Sequence, residues 1–264
     1  MLRSVSVNLQ LEIRGHTNMV FSITPAIGAN IASERLEFLL DGKAQKAREI
    51  HDLHGTRLHT FETRAGVMFV DYSLEIGGGA TIAPISELDL ITYLRPSRYA
   101  QSDSLTPFAR SLFSGLSGYT LVQAITDWVF ENLTYASGAS LPTDGATRTL
   151  LSRRGVCRDF AHVTIALLRA MEIPARMVSV YAPGLSPMDF HAVAEAYVDG
   201  TWWVIDSSRL APRQSLVRIA TGRDAADTAW LTSTWTDLNV ISMLVTVSAD
   251  SLPFDSNYDQ VELA

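Results

Sequence analysis

Three residues of this 264-residue chain have the types and spacing for nucleophilic acyl chemistry: Cys157, His191 and Asp206. Cys157 is the only cysteine. It follows Gly155 and opens a run in which Phe160, Thr164, Leu167, Leu168 and Met171 recur at helical spacing, with Pro174 beyond its end. A thiol at a helix N-terminus meets free N–H groups and the positive end of the helix dipole, which stabilise a thiolate. The same N–H groups suit an oxyanion. Arg158 adds positive charge nearby, and Asp159 in the first turn reads as a structural partner of the dipole. The competing reading of Cys157 is a small buried hydrophobe.

A thiolate nucleophile needs a base, usually a histidine held by a third group. The candidates are His16, His51, His54, His59, His162 and His191. His191 alone has an obvious carboxylate on a neighbouring strand. In "HAVAEAYVDGTWWVIDSS" the Asp199-Gly200 pair sits between two apolar runs, the signal for a two-residue hairpin loop. That loop sets Val198 opposite Thr201 and Asp206 opposite Val193. His191 then shares a face with Asp206 as a diagonal neighbour, about 7–8 Å away at the backbone. Ala192, Ala194, Ala196, Trp203 and Ile205 fall on the other face and suit the core. A loop one residue longer would put the two groups on opposite faces. Taken singly, His191 also reads as a satisfied structural histidine and Asp206 as a strand-end turn former.

Other residues carry weaker signals. "HDLHGTRLH" (51–59) has three histidines, but their spacing fits no usual zinc pattern, and a polar hairpin is the competing reading. No metal or cofactor is expected. Trp128 has an indole N–H that an oxyanion would accept, yet it lies on the apolar stripe of its helix and reads as core. Glu195 and Trp202 share the hairpin face of His191 and are candidates to line a cleft.

These residues need elements to position them. Alternating stretches such as "VSVNLQLEI", "RLEFLL", "TRLHTFE" and "GVMFVDYSLEI" predict strands, so residues 1–95 read as a β-rich, sandwich-like domain. "LRPSRYAQSDSLTP" (94–107) reads as a linker. After it, "SGYTLVQAITDWVFENLTY" predicts a helix, "TLLSRRG" a short helix, and 157–171 the helix carrying the cysteine. "ARMVSVYA", "HAVAEAYV", "TWWVIDSS" and "ISMLVTVSA" predict strands. The fold class reads as α+β, with residues 96–264 forming a second domain of mixed helices and strands that holds Cys157, His191 and Asp206.

An apolar fraction of 47% beside 19% charged residues describes an ordinary globular protein with a sizeable core. A net charge of −7 gives no general attraction for nucleic acid or anionic membrane. A single cysteine excludes an internal disulfide framework and points to a reducing compartment. "MLRSVSVNLQLEIRG" alternates like a strand and not like a signal peptide, and no apolar run reaches the roughly 18 residues of a membrane helix. The expected location is the cytoplasm.

"RRGVCRDFAHVTIALLRAMEIPARMVSVYA" followed by "FHAVAEAYVDGTWWVIDSS" resembles the bacterial transglutaminase-like proteins, a group of candidate cysteine proteases. "TGRDAADTAW" (221–230), "PSRY" (96–99) and the β-rich first 90 or so residues are similar to this family as well. The resemblance implies a papain-like core, Cys157 as nucleophile, His191 as base and Asp206 as orienting acid. It also implies acyl transfer on peptide or glutamine-type amide bonds of a protein or peptide substrate: water as acceptor gives a protease or amidase, an amine gives a transglutaminase. Two positions depart from the family pattern. "DSS" (206–208) stands where Asp-Pro-Thr is usual, and Val193 stands where many members have tryptophan. The alternative function is a binding or scaffolding module that keeps the fold with little catalysis.

Overall fold

The computed structural model describes residues 1–81 and 85–263. Period-two patterning gives strands β1 (Leu2–Ile13), β2 (Thr17–Phe21), β3 (Ile31–Leu40), β4 (Lys43–Ala44), β5 (Arg48–His51), β6 (Arg57–Thr63) and β7 (Gly66–Gly77). Alternate residues of β1 and β7 are buried, from Val5 to Ile13 and from Met68 to Ile76, as period-two burial requires. Helices α1 (Glu87–Thr92), α2 (Ser102–Phe113) and α3 (Gly118–Asn132) follow, then β8 (Thr134–Tyr135), α4 (Ala146–Ser152), β9 (Arg154–Gly155) and α5 (Cys157–Ala170). The remaining elements are β10 (Ala175–Tyr181), β11 (His191–Val198), β12 (Thr201–Ile205), β13 (Val217–Gly222), α6 (Ala225–Thr228), β14 (Leu231–Thr234) and β15 (Leu238–Ala249). The fold is mixed α and β.

An antiparallel sheet of order β12-β11-β10-β13 supports α5, which packs on β11 and β10 and is flanked by α2, α3 and α4. One face of this sheet, with Ala175, Met177, Ala194, Ala196 and Ile205, joins α5 in an apolar core. The small alanines let the helix approach closely. A second core fills two further sheets, β15-β1-β7-β3-β4 and β14-β2-β6-β5.

Two features depart from the linear reading of the sequence. The segment 94–107, expected as a linker, already contains the start of α2, whose Leu105, Ala109 and Phe113 are buried at four-residue spacing. Pro107 lies inside that helix and lacks an N–H for the ladder, which is why the segment looks like a break. More consequentially, β14 and β15 come from the C-terminal part of the chain yet pair with β2 and β1, so strands from 231–249 complete the N-terminal sheets. Tyr181, Val217, Ile219 and Ala220 of the α5-bearing sheet also enter the core of those sheets. A cut between residues 95 and 96 would separate paired strands and open a shared core.

Candidate active site

Cys157 is the first residue of α5 and is half-buried. Its helix start is set by a local exchange: the Asp159 carboxylate accepts from the Val156 N–H at 2.8 Å. Asp159 is thus committed to capping and is itself buried. Gly155 makes this approach feasible, since a Cβ there would stand 2.6 Å from Asp159 Cβ. Arg158 donates to Leu141 O at 2.7 Å and to Ser140 Oγ, so its guanidinium anchors the preceding loop.

The Asp199-Gly200 turn delivers the expected register. Val198 pairs with Thr201 and Ala194 with Ile205, and both turn residues take positive φ, 52° and 85°, as this hairpin type requires. Asp206 follows β12 and reaches back to His191 at the start of β11, with Asp206 Oδ2 2.8 Å from His191 Nε2. Both are almost fully buried, His191 at 1% and Asp206 at 4% exposure. His191 Nδ1 is buried and has no hydrogen-bond partner among the described residues. Cys157 and His191 line the same cavity, along with Phe190 and Trp230.

Burial acts most strongly on both partners and opposes their charges. For His191 it pushes the imidazole down, but the charge and hydrogen bond of Asp206, with a further contribution from Cys157, hold it above its ordinary value. For Asp206 burial pushes up, and the His191 charge and the hydrogen bonds from His191 and Ser208 hold it below the usual carboxylate range. The pair therefore favours an imidazolium beside the thiol and a carboxylate behind it.

The other sequence candidates go elsewhere. His51 and His59 both meet Glu49, at 2.7 and 3.1 Å, whereas His54 hydrogen-bonds the Tyr93 hydroxyl at 2.8 Å. The segment is a polar hairpin between β5 and β6. His162 on α5 accepts from Ala225 N, stacks on Tyr99, and is driven down to about 3 by burial, so it stays neutral. Trp128 packs edge-on against Phe108 and Phe113. Glu195 and Trp202, expected near the cleft, are not part of it. Glu195 is buried between Arg176 at 2.6 Å and Arg218 at 2.5 Å, and Trp202 lies under the Arg176 guanidinium at 4.1 Å. They share a face with His191 but sit nearer the Asp199-Gly200 end of the β11–β12 hairpin.

A family model described as the transglutaminase-like superfamily matches residues 108–207, a span holding all three candidate residues. Among solved structures, the chain is similar to a Cytophaga hutchinsonii protein described as a "putative cysteine protease", with 32% identity, a TM-score of 0.89, and coverage of 98% of this chain and 95% of that one. The chain belongs to the transglutaminase-like superfamily. Curated relatives include an uncharacterised protein of Mycobacterium leprae (strain TN), 32% identical over 138 residues, covering 46% of this chain and 48% of that protein. Another, from Mycobacterium tuberculosis (strain ATCC 25618 / H37Rv), is 30% identical over 175 residues, covering 59% and 54%. The chain spans about half the length of the curated relatives it matches. Cysteine-based catalysis is what membership of the transglutaminase-like superfamily indicates.

In this transglutaminase-like chain the "DSS" departure has a structural role. Ser208 donates to Asp206 Oδ1 twice, from its N–H at 2.9 Å and its hydroxyl at 2.6 Å, which leaves Oδ2 aimed at His191. Aspartate with a serine two residues on is an Asx-turn signal that the sequence displays. Ser207 contacts the cysteine helix: its hydroxyl lies 2.7 Å from Thr164 Oγ1, which itself donates to Phe160 O. This contact ties the Asp206 loop to α5. The "PSRY" and "TGRDAADTAW" motifs meet as well, because Asp224 accepts from Tyr99 N at 2.7 Å while capping α6 through Ala226 N.

Proposed function

We propose that the protein is a cysteine-dependent acyl-transfer enzyme acting on peptide or glutamine-type amide bonds. Cys157 is the nucleophile, His191 the general base and acid, and Asp206 the residue that orients and charges the imidazole, on a papain-like core of cysteine helix against histidine–aspartate sheet. The observation that carries this reading is the buried His191–Asp206 pair, 2.8 Å apart, whose free Nδ1 belongs to a ring lining the cavity of a helix-start thiol.

The Cys157 thiolate adds to the amide carbonyl carbon, and the carbonyl electron pair moves onto oxygen, where backbone N–H groups at the start of α5 are suited to receive it. The C–N bond then breaks as His191 protonates the departing amine. This leaves a thioester on Cys157 and a neutral imidazole. Water, losing its proton to His191, releases a carboxylic acid, whereas an acceptor amine forms a new amide. Either route returns the thiol. The lone cysteine supports action in a reducing compartment such as the cytoplasm, and the net charge of −7 supports a peptide substrate over nucleic acid or an anionic membrane surface.

Incubation with glutamine-containing peptides, with and without a small primary amine, tests the reading by mass spectrometry. Peptide cleavage, deamidation or amine incorporation that disappears in Cys157→Ala supports it. A protein that leaves every peptide unchanged, and whose Cys157 resists iodoacetamide at near-neutral pH, is instead a scaffolding module.

A further inference from the structure

The cavity beside Cys157 is larger than the three reacting groups need, about 650 Å³, and its walls are mainly apolar. A volume of this order suits a side chain and its flanking backbone. Next to His191, the Phe190 ring stacks on Trp230 with centroids 5.5 Å apart and planes 10° from parallel, making a flat aromatic wall. Met177, on the face of β10 that packs against α5, also reaches the cavity.

The remaining wall comes from strands that the sequence places far from the triad. Leu238, Val240 and Met243 of β15 line the cavity although 240 and 243 are three residues apart. The pairing with β1 explains how: Leu11 faces Val240 and Gln10 faces Ser242, so Ile241 is an extra residue. The bulge turns Val240 and Met243 toward the same side, the side of the buried Leu9 and Leu11. The interior face of the β1 sheet thus emerges at its edge as a wall of the Cys157 cavity. Val240 and Met243 remain 41% and 38% exposed there, an apolar surface left open to solvent.

Polar groups interrupt the apolar lining, among them Arg158, Asp189, Thr232 and Ser233, and one more is sealed in without a partner. Ser179 lines the cavity and is 91% buried by its 9% exposure, and its hydroxyl has no hydrogen-bond partner among the described residues. A buried hydroxyl without a partner is costly unless a ligand completes it.

We propose that this cavity is a specificity pocket for an apolar side chain of an extended peptide substrate, with the β15 bulge as its wall and Ser179 as a hydrogen-bonding anchor for the peptide main chain. The inference rests on the acyl-transfer reading and deepens it by naming the substrate class: peptides with a leucine- or phenylalanine-sized residue close to the attacked carbonyl. It also gives the N-terminal sheets a role, because their edge strand shapes the pocket.

The test uses the full chain and a set of dipeptidyl chloromethyl ketones that differ only in side chain: leucine, phenylalanine, aspartate and lysine. Each alkylates a thiolate with loss of chloride, and intact-mass spectrometry reads the rate at Cys157, normalised to iodoacetamide. The leucine and phenylalanine probes should react about ten- to a hundredfold faster than the charged pair, the gain expected for taking one such side chain out of water. Met243→Glu, and independently Val240→Lys, should reduce that preference about tenfold when each probe's rate is taken relative to the same variant's iodoacetamide rate. Leu244→Glu alters an exposed residue of the same strand that does not line the cavity and should change nothing. Equal rates for apolar and charged probes, or a preference untouched by both lining variants, would overturn the pocket whatever iodoacetamide shows. A retained apolar preference with iodoacetamide labelling independent of His191 keeps the pocket and overturns the catalytic reading.

Discussion

Replacing Asp206 by asparagine removes one charge from the site and little volume. The carboxylate oxygen lies 2.8 Å from His191 Nε2, and both residues are buried. For unit charges about 4 Å apart, an effective dielectric near 20 gives an attraction of about 4 kcal/mol, and solvation differences leave only part of it. An opposite charge at this range commonly shifts a titrating group by about 1–3 pH units. The sign follows from the pair: Asp206 raises His191, so Asp206→Asn must lower it. The asparagine amide still accepts a hydrogen bond from the imidazole, so the fold should persist. His191 contributes stability in full below its unfolded value, near 6.5, and loses it as pH rises through the raised folded value. The variant should therefore lose stability most at neutral and acid pH down to the carboxylate range, where Asp206 itself would begin to protonate. Two assays follow. Histidine NMR should show the His191 titration about 1–3 pH units lower, and alkylation of Cys157 should reach half its maximal rate at a higher pH, because a less charged imidazole stabilises the thiolate less. Turnover of any substrate should fall, though less than in Cys157→Ala. Unmoved His191 titration and an unmoved labelling profile would refute the reasoning and leave Asp206 as a strand-end residue.

The same geometry sets further expectations. Ser208→Ala removes the 2.6 Å hydroxyl bond to Asp206 but keeps the N–H bond, so a loss of about 1 kcal/mol in urea unfolding and a several-fold loss of turnover are expected, with Ser208→Thr restoring most of both. Thr164→Val breaks the contact between α5 and Ser207 and leaves a buried hydroxyl unpaired; thermal unfolding should show a cost of about 1–3 kcal/mol. Burial raises Glu195, but Arg176 and Arg218 outweigh it and hold the carboxylate low. Its stabilisation is thus present above the unfolded value and lost as pH falls through the folded one. Glu195→Ala, which strands two guanidiniums, should cost about 3–5 kcal/mol at pH 7 by chemical denaturation. A fragment of residues 100–264 should fail to unfold cooperatively, because β14 and β15 lose their partners and Tyr181, Val217 and Ile219 lose the core they enter; a sharp calorimetric transition would contradict this.

The parts of the structure that depend on short-range chemistry are written openly in the chain. Asp199-Gly200 specifies a two-residue turn, and from it the pairing of β11 with β12 and the approach of Asp206 to His191 follow by counting. The α5 boundaries follow from apolar spacing and from Pro174 beyond its end. What the residues do not disclose depends on long-range pairing. Nothing in "ISMLVTVSA" says that β15 adds to β1, more than two hundred residues away, and an alternating strand of this kind would suit several edges. The apolar wall of the cavity was hidden for that reason, since Val240 and Met243 face one way only because of a bulge against β1. Glu195 and Trp202 illustrate the converse error: a shared strand face identifies a side of the sheet, but the position along the strand decides which cavity each residue meets.

The central claim is that the buried His191–Asp206 pair activates the Cys157 thiol. Its most direct test is the pH dependence of iodoacetamide alkylation at Cys157 in the parent and in His191→Ala, followed by intact-mass spectrometry from about pH 5 to 10. The account predicts that His191→Ala slows alkylation at neutral pH and moves its profile to higher pH, because the imidazolium beside the thiolate is lost. Superimposable profiles in the two proteins would contradict it.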